Sequence, residues 1–256
     1  MSEREVEDRG TGAGGAGAGG AGGDEAVTGD AVIVTRGVTK VYRENGVPVT
    51  AVDAVDLTIE RGEFTAITGP SGSGKTTLLN LISGLDGLTS GEIWLDGRRL
   101  SAMSGAELSD FRRDHIGFVF QAYNLIPVLS VAENVEYIML LQGVSSEERA
   151  RRVGRILGEL GLEGYEARRP PQLSGGQQQR VAVARAIVTE PALVLADEPT
   201  ANLDSQTAIE LIQLMRRLNE DRGITFVFST HDGRIMERAR RLVGLRDGHI
   251  ETDETR

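Results

Sequence analysis

The stretch Gly69-Pro70-Ser71-Gly72-Ser73-Gly74-Lys75-Thr76-Thr77 fits the pattern G-x-x-x-x-G-K-[ST] at every specified position, and the chemistry of that pattern is phosphate binding. Glycines at 69, 72 and 74 let successive backbone N–H groups converge on one concavity, which then accepts an anion. Lys75 supplies a point charge for the β- and γ-phosphates of a nucleotide, the Thr76 hydroxyl is a magnesium ligand, and Thr77 adds a further phosphate contact. The apolar run Phe64 to Ile67 before the loop reads as a buried strand, and Thr76 to Ile82 after it as a helix whose unpaired N-terminal donors add to the cradle.

Three other places bring polar groups to the end of an apolar run, where ligands gather in parallel sheets. Leu193 to Ala196 ends in Asp197-Glu198, an aspartate for the magnesium shell and a glutamate placed to polarise a water for in-line attack on the γ-phosphorus. Ile224 to Phe228 delivers Ser229, Thr230 and His231, and a histidine there can sense the γ-phosphate or order the attacking water. Ile116 to Phe120 ends at Gln121, which either reaches a metal or water beside the phosphates or is a surface loop amide. A second anion-binding helix start is written in Leu173-Ser174-Gly175-Gly176-Gln177, with Ser174 as cap and two glycines leaving the amides accessible to a terminal phosphate. His115 and His249 have no such placement and read as structural.

The elements that must hold these groups follow from periodicity and turn residues. Short β-rich runs at 31–35, 52–59, 63–68 and 91–95, broken by Glu44-Asn45-Gly46 and Asp96-Gly97, predict antiparallel sheet flanking the loop. Tyr42 falls between the first two runs, where its ring either stacks on a purine base or covers the sheet edge. Residues 106–113 predict a short polar helix, 130–143 and 146–160 amphipathic helices, and Ser174 onward a helix to about Thr189. Ala201 to Asp204 is a turn that caps a helix over 205–220, and 242–252 predicts a closing hairpin around Asp247-Gly248.

Composition narrows the class. With 256 residues, 39% of them apolar, the chain can bury roughly 70% of its unfolded surface in a packed core. A net charge of -10 is a poor match to a polyphosphate backbone such as nucleic acid. The absence of cysteine removes disulfides and thiolate metal sites. No apolar run reaches membrane-spanning length and no signal-peptide core is expected, so a membrane role requires a partner. Lysine occurs only at 40 and 75 while arginine is abundant, which suggests a GC-rich bacterial genome. Residues 1–30 hold ten of the 33 glycines and an excess of five acids, and are expected to be a disordered, solvated tail ahead of a folded unit at 31–256.

Taken in order, these motifs resemble the ATP-binding cassette of ABC transporters across residues 31–256: Walker A at Gly69 to Thr76, Q-loop Gln121, signature Leu173 to Gln177, Walker B ending at Asp197-Glu198, D-loop Ala201 to Asp204, switch histidine His231. Asn80 to Asp86, Ile116 to Pro127 and Phe228 to Asp232 further resemble ATPases of lipoprotein-release and macrolide-efflux exporters. The resemblance implies an α/β P-loop NTPase fold with a mixed, mostly parallel core sheet, an antiparallel β subdomain and a helical subdomain at about 122–180. It implies ATP and Mg2+ as cofactors. Nucleotide contacts would come from Tyr42, Gly69 to Thr77, Gln121, Ser174, Gly175, Gly176, Gln177 and Asp204, metal contacts from Thr76, Gln121 and Asp197, and catalysis from Glu198, His231, Gln121 and Lys75.

The same resemblance implies a head-to-tail homodimer in the ATP state, in which Ser174 and Gly176 of one chain reach the ATP held by Lys75 and Thr76 of the other. A permease would dock near residues 121–134, placing the chain at the cytoplasmic face of a bacterial inner membrane. The leading expectation is thus an ATPase subunit powering export or extraction. Mechanotransmission to an external enzyme or sensor is the alternative. A soluble ATPase acting on DNA or the ribosome is disfavoured by the acidic balance, the single cassette and the lack of a coiled-coil insertion or zinc-binding cysteines.

Overall fold

The computed structural model describes residues 29–44 and 46–256, so the expected tail at 1–28 and the turn residue Asn45 lie outside the described residues. Within them, strands β3 (Phe64–Thr68), β6 (Ile116–Val119), β7 (Leu193–Ala196), β8 (Phe226–Thr230), β9 (Arg241–Arg246) and β10 (His249–Thr255) form one sheet in the order β10-β9-β3-β8-β7-β6. All its pairings are parallel except β10 with β9. The short apolar runs become strands buried on both faces because period-2 alternation sends neighbours to opposite layers. Phe64, Phe226, Phe228, Val194 and Ala196 enter one core, while Ile67, Val227, Leu193 and Leu195 enter the other.

The second core lies under a smaller antiparallel sheet, order β2-β1-β4-β5, made of β1 (Ala31–Glu44), β2 (Val47–Glu60), β4 (Ser90–Leu95) and β5 (Arg98–Arg99). Helices α1 (Lys75–Ile82) and α2 (Gly105–His115) contribute Leu78, Leu81 and Phe111 to it. The first core is closed by α3 (Val131–Leu141), α4 (Ser146–Glu159), α5 (Gly175–Ile187) and α6 (Ser205–Arg222), and α7 (Gly233–Met236) follows β8. Several of these helices start on a reciprocal Ser/Glu or Ser/Gln box: Ser104 with Glu107, Ser130 with Glu133, Ser174 with Gln177.

Three expectations shift. The run 63–68 does not join the antiparallel sheet: as β3 it pairs in parallel with β8 and β9, because both its faces are apolar and need cover. Tyr42 is not between strands but inside β1, opposite Val49, since irregularities between Thr35 and Lys40 let β1 and β2 continue as one long hairpin. The strand expected at 224–228 runs from Phe226 to Thr230, so Ser229 and Thr230 are strand residues. The expected hairpin is present, with Asp247 (φ 48°) and Gly248 (φ 83°) in the left-handed region that a tight two-residue turn requires.

Candidate active site

The phosphate loop leaves β3 and enters α1. Two of its glycines are there because backbone from elsewhere comes too close for a side chain: a Cβ on Gly69 would lie 2.1 Å from Leu245 O, and one on Gly74 would lie 2.2 Å from Ala51 O. Strands β9 and β2 thereby press the loop into shape. Helix α1 has no side-chain cap, unlike α2, α3, α4, α5 and α6, so its first donors point into the loop uncompensated. Lys75 is 6% exposed and donates to Gly69 O (2.9 Å) and Pro70 O (2.8 Å), folding its ammonium back over the cradle. Ser73 Oγ is buried without a hydrogen-bond partner. An uncapped helix start, a cation held only by carbonyls and an orphaned hydroxyl fit a bound polyphosphate.

Across the cleft the ends of β7 and β8 meet α1. Thr76 Oγ1 donates to Asp197 Oδ1 (3.1 Å), and Ser229 Oγ donates to the same oxygen (2.6 Å) while accepting from the Glu198 amide (2.8 Å). Glu198 takes φ 45°, a strained value for a non-glycine residue, which aims its carboxylate at the cleft. His231 Nδ1 stands 2.9 Å from Glu198 Oε1 and 2.7 Å from Oε2. The Glu198 carboxylate is 19% exposed and the His231 imidazole 65% exposed, so the acid sits inside and the histidine at the rim. A cleft of about 650 Å³ unites Pro70, Ser71, Gly72, Gly74, Lys75, Thr76, Thr77, Gln121, Glu198 and His231, with Ala51 and Ala201. Thr76, Asp197 and Gln121 supply hard oxygen donors of the kind magnesium takes.

Other expected residues fall outside that cleft. Tyr42 lies beside it on β1, its hydroxyl donating to Asp86 Oδ2 (2.6 Å); burial and the Asp86 carboxylate push the phenol up. Ser174, Gly175, Gly176 and Gln177 form the start of α5, where Ser174 Oγ accepts from the Gln177 amide and Gln177 Oε1 accepts from the Ser174 amide. Gly175 lies against Tyr123 and Leu203 and Gly176 against Thr207, and none of the four residues lines the cleft of the phosphate loop. Asp204 caps α6, with Oδ1 accepting from the amides of Gln206 and Thr207 and Oδ2 from the Thr207 hydroxyl, bonds that hold its carboxyl below the usual range. His115 and His249 are structural in their contacts, against Asp96 (2.7 Å) and Asp53 (3.4 Å).

Two residues central to the geometry had no assigned role in the sequence. Ser229 ties Asp197 to the Glu198 backbone, and the signal for it was only its place at a strand end. Gln179, fully buried, donates to Phe120 O (3.3 Å) and Pro199 O (2.7 Å), joining the approach to Gln121 to the segment after Glu198. No local pattern marks it.

Residues 52–201 match the family model described as ABC transporter. The chain is 44% identical to the uncharacterized ABC transporter ATP-binding protein MJ0796 of Methanocaldococcus jannaschii, over 87% of this chain and 97% of that one. A dimeric, post-hydrolysis structure of MJ0796 bound to ADP and Pi matches with a TM-score of 0.80, covering 87% of this chain and 98% of that one. The lipoprotein-releasing system ATP-binding protein LolD of Chromohalobacter salexigens is 42% identical over 88% of this chain and 94% of its own. The macrolide export ATP-binding/permease protein MacB of Rhodopseudomonas palustris is 44% identical over 87% of this chain, which spans only 34% of that larger protein.

Proposed function

The chain belongs to the ABC transporter family, and on that premise we propose that it is the ATP-hydrolysing subunit of an exporter whose membrane permease is a separate chain. The observation that carries the reading is the connected set Thr76, Asp197, Ser229, Glu198 and His231, closing on the phosphate loop from the opposite wall of one cleft.

Lys75 and the α1 amides would hold the β- and γ-phosphates, and Thr76, Asp197 and Gln121 would hold Mg2+, whose positive charge would offset that of the phosphates. Glu198 accepts a proton from the attacking water as general base, and His231, bonded to it, orients that carboxylate and the water at the rim. Tyr42 stacks on the base. The distance of Ser174, Gly175, Gly176 and Gln177 from this chain's own cradle supports their serving the cradle of a second copy, with Asp204 and its turn at the joint between copies. ATP drives such a cycle only through tighter binding to the closed pair than to the open chains.

We further propose residues 31–256 as one cassette and about 122–180 as its helical part. A groove of about 580 Å³, lined by Leu85, Phe118, Ile126, Tyr137 and Leu141 and opening beside the Gln121 loop, is the seat for a permease helix. Among the described residues no helix is long and apolar enough to cross a membrane. We propose that groove as the point of attachment to the cytoplasmic face of a bacterial inner membrane. Likeness to a lipoprotein-releasing and a macrolide-export protein supports export over mechanotransmission. The test is a pull-down of tagged Glu198→Gln from detergent-solubilised native membranes with MgATP, with Lys75→Ala as the nucleotide-blind control. ATP-dependent recovery of a multi-span protein is expected; recovery of soluble partners alone overturns the membrane assignment.

A further inference from the structure

Helix α1 starts in the phosphate cradle and ends, about 12 Å away, in a turn that swings Asp86 back onto β1. The amides of Leu85 and Asp86 both donate to Asn80 O (2.9 and 3.2 Å), which fixes that turn. From it the Asp86 carboxylate forks. Oδ1 accepts from Lys40 Nζ (2.6 Å) and Oδ2 from the Tyr42 hydroxyl (2.6 Å), while Lys40 Nζ also donates to Gly87 O (2.6 Å). Lys40 and Tyr42 reach the same carboxylate from one side of β1 although the register shifts between Lys40 and Val41, and the ammonium lies over the Tyr42 ring, 4.7 Å from its centroid. Burial pushes the Asp86 carboxyl up, but the hydrogen bonds from Lys40 and Tyr42 outweigh it and hold the group below the ordinary aspartate range.

These contacts fix the ring twice, by its hydroxyl and by one face, and leave the other face uncovered by the ammonium. An ion pair this close to the surface adds little to stability, and ordering a lysine and a tyrosine costs conformational entropy. The return on that ordering is orientation. We infer that Asp86 is a positioning residue for the nucleotide: it holds the Tyr42 ring, backed by Lys40, as a preformed platform for the base, and ties that platform to the helix whose other end holds the phosphates. The inference rests on the reading of Tyr42 as the base-stacking residue. A platform rigid before binding spares the nucleotide the cost of ordering it. Because every base has a π-face, the platform adds affinity for a nucleoside without selecting among purines.

Calorimetric titration of the full chain with Mg-ADP and with magnesium pyrophosphate, which has no base, separates platform from cradle. Asp86→Ala and Tyr42→Phe are expected to weaken ADP binding roughly tenfold and threefold and to change pyrophosphate binding less than twofold, with GDP following ADP. Asp86→Asn keeps an acceptor for the Tyr42 hydroxyl and is expected to recover part of the loss. Unchanged ADP affinity in Asp86→Ala overturns the inference, and so does an equal loss for both ligands, which would make Asp86 a support of the cradle. Tyr42→Ala distinguishes the two levels. If it loses ADP affinity where Asp86→Ala does not, the clamp fails and the stacking role of Tyr42 stands; if neither loses it, the stacking role itself fails.

Discussion

Ser229 carries no charge and touches no expected ligand, yet it sets the two acids of the cleft. Its hydroxyl donates to Asp197 and accepts from the Glu198 amide, and the residue is 0% exposed. Ser229→Ala leaves a buried N–H unpaired and is expected to cost about 1–3 kcal/mol of stability. It is also expected to lower ATP turnover at subsaturating magnesium, measured by thermal melts and phosphate release across a magnesium series. A wild-type magnesium dependence would remove Ser229 from the metal side of the site. Glu198 is the sharper case. Glu198→Gln keeps the shape of the side chain and its strained backbone but cannot take a proton. Phosphate release should fall by about 10²–10⁴-fold with ATP binding retained. A variant that hydrolyses at the wild-type rate would end the assignment of Glu198 as base.

Elements hold these residues through close approaches that admit few alternatives. Strand β6 runs so near α5 that a Cβ on Gly117 would lie 2.2 Å from Ala186 O. Gly117→Ala must push helix from strand, and a loss of about 1–3 kcal/mol in urea unfolding is expected. Gly154 in α4 has open space around an added Cβ, so Gly154→Ala should instead gain about 0.5–1 kcal/mol from helix propensity and a less flexible unfolded chain. Asp96 joins the elements beneath the antiparallel sheet, accepting from Arg61 and pairing with His115 while its amide donates to Val32 O (2.8 Å). Burial raises its carboxyl, but the Arg61 and His115 hydrogen bonds prevail and hold it below its ordinary value of 3.8. A depressed acid contributes stability that is complete above that value and is lost as pH falls beneath it. Asp96→Asn is therefore expected to melt lower than wild type at neutral pH, with the gap closing as acid is added below about pH 4. A gap that does not change with pH would assign the loss to packing.

At the scale of the whole molecule, one chain holds both the loop of Gly69 to Thr77 and a second glycine-bearing helix start, at α5, that does not line the same cleft. Gly175 faces Tyr123 and Leu203 and Gly176 faces Thr207, and neither glycine lines the cleft that contains Lys75. Glu198→Gln is expected to elute as a dimer with MgATP and as a monomer with ADP, and Ser174→Arg to block the shift by filling the facing site. Dimerisation indifferent to Ser174 would require another interface. The phosphate loop, the acids at 197 and 198 and the capped helices were legible in the sequence because each depends on a local requirement: a glycine where backbone crowds, an anion-binding helix start, apolar alternation ending in a carboxylate. Gln179, Ser229 and Asp86 were not legible as site residues, because their partners stand far along the chain and the pairing exists only once sheets and helices have packed. The same holds for β3, whose residues read simply as strand: which sheet took it was decided by the need to cover both its faces, a condition that only the assembled layers on either side could meet.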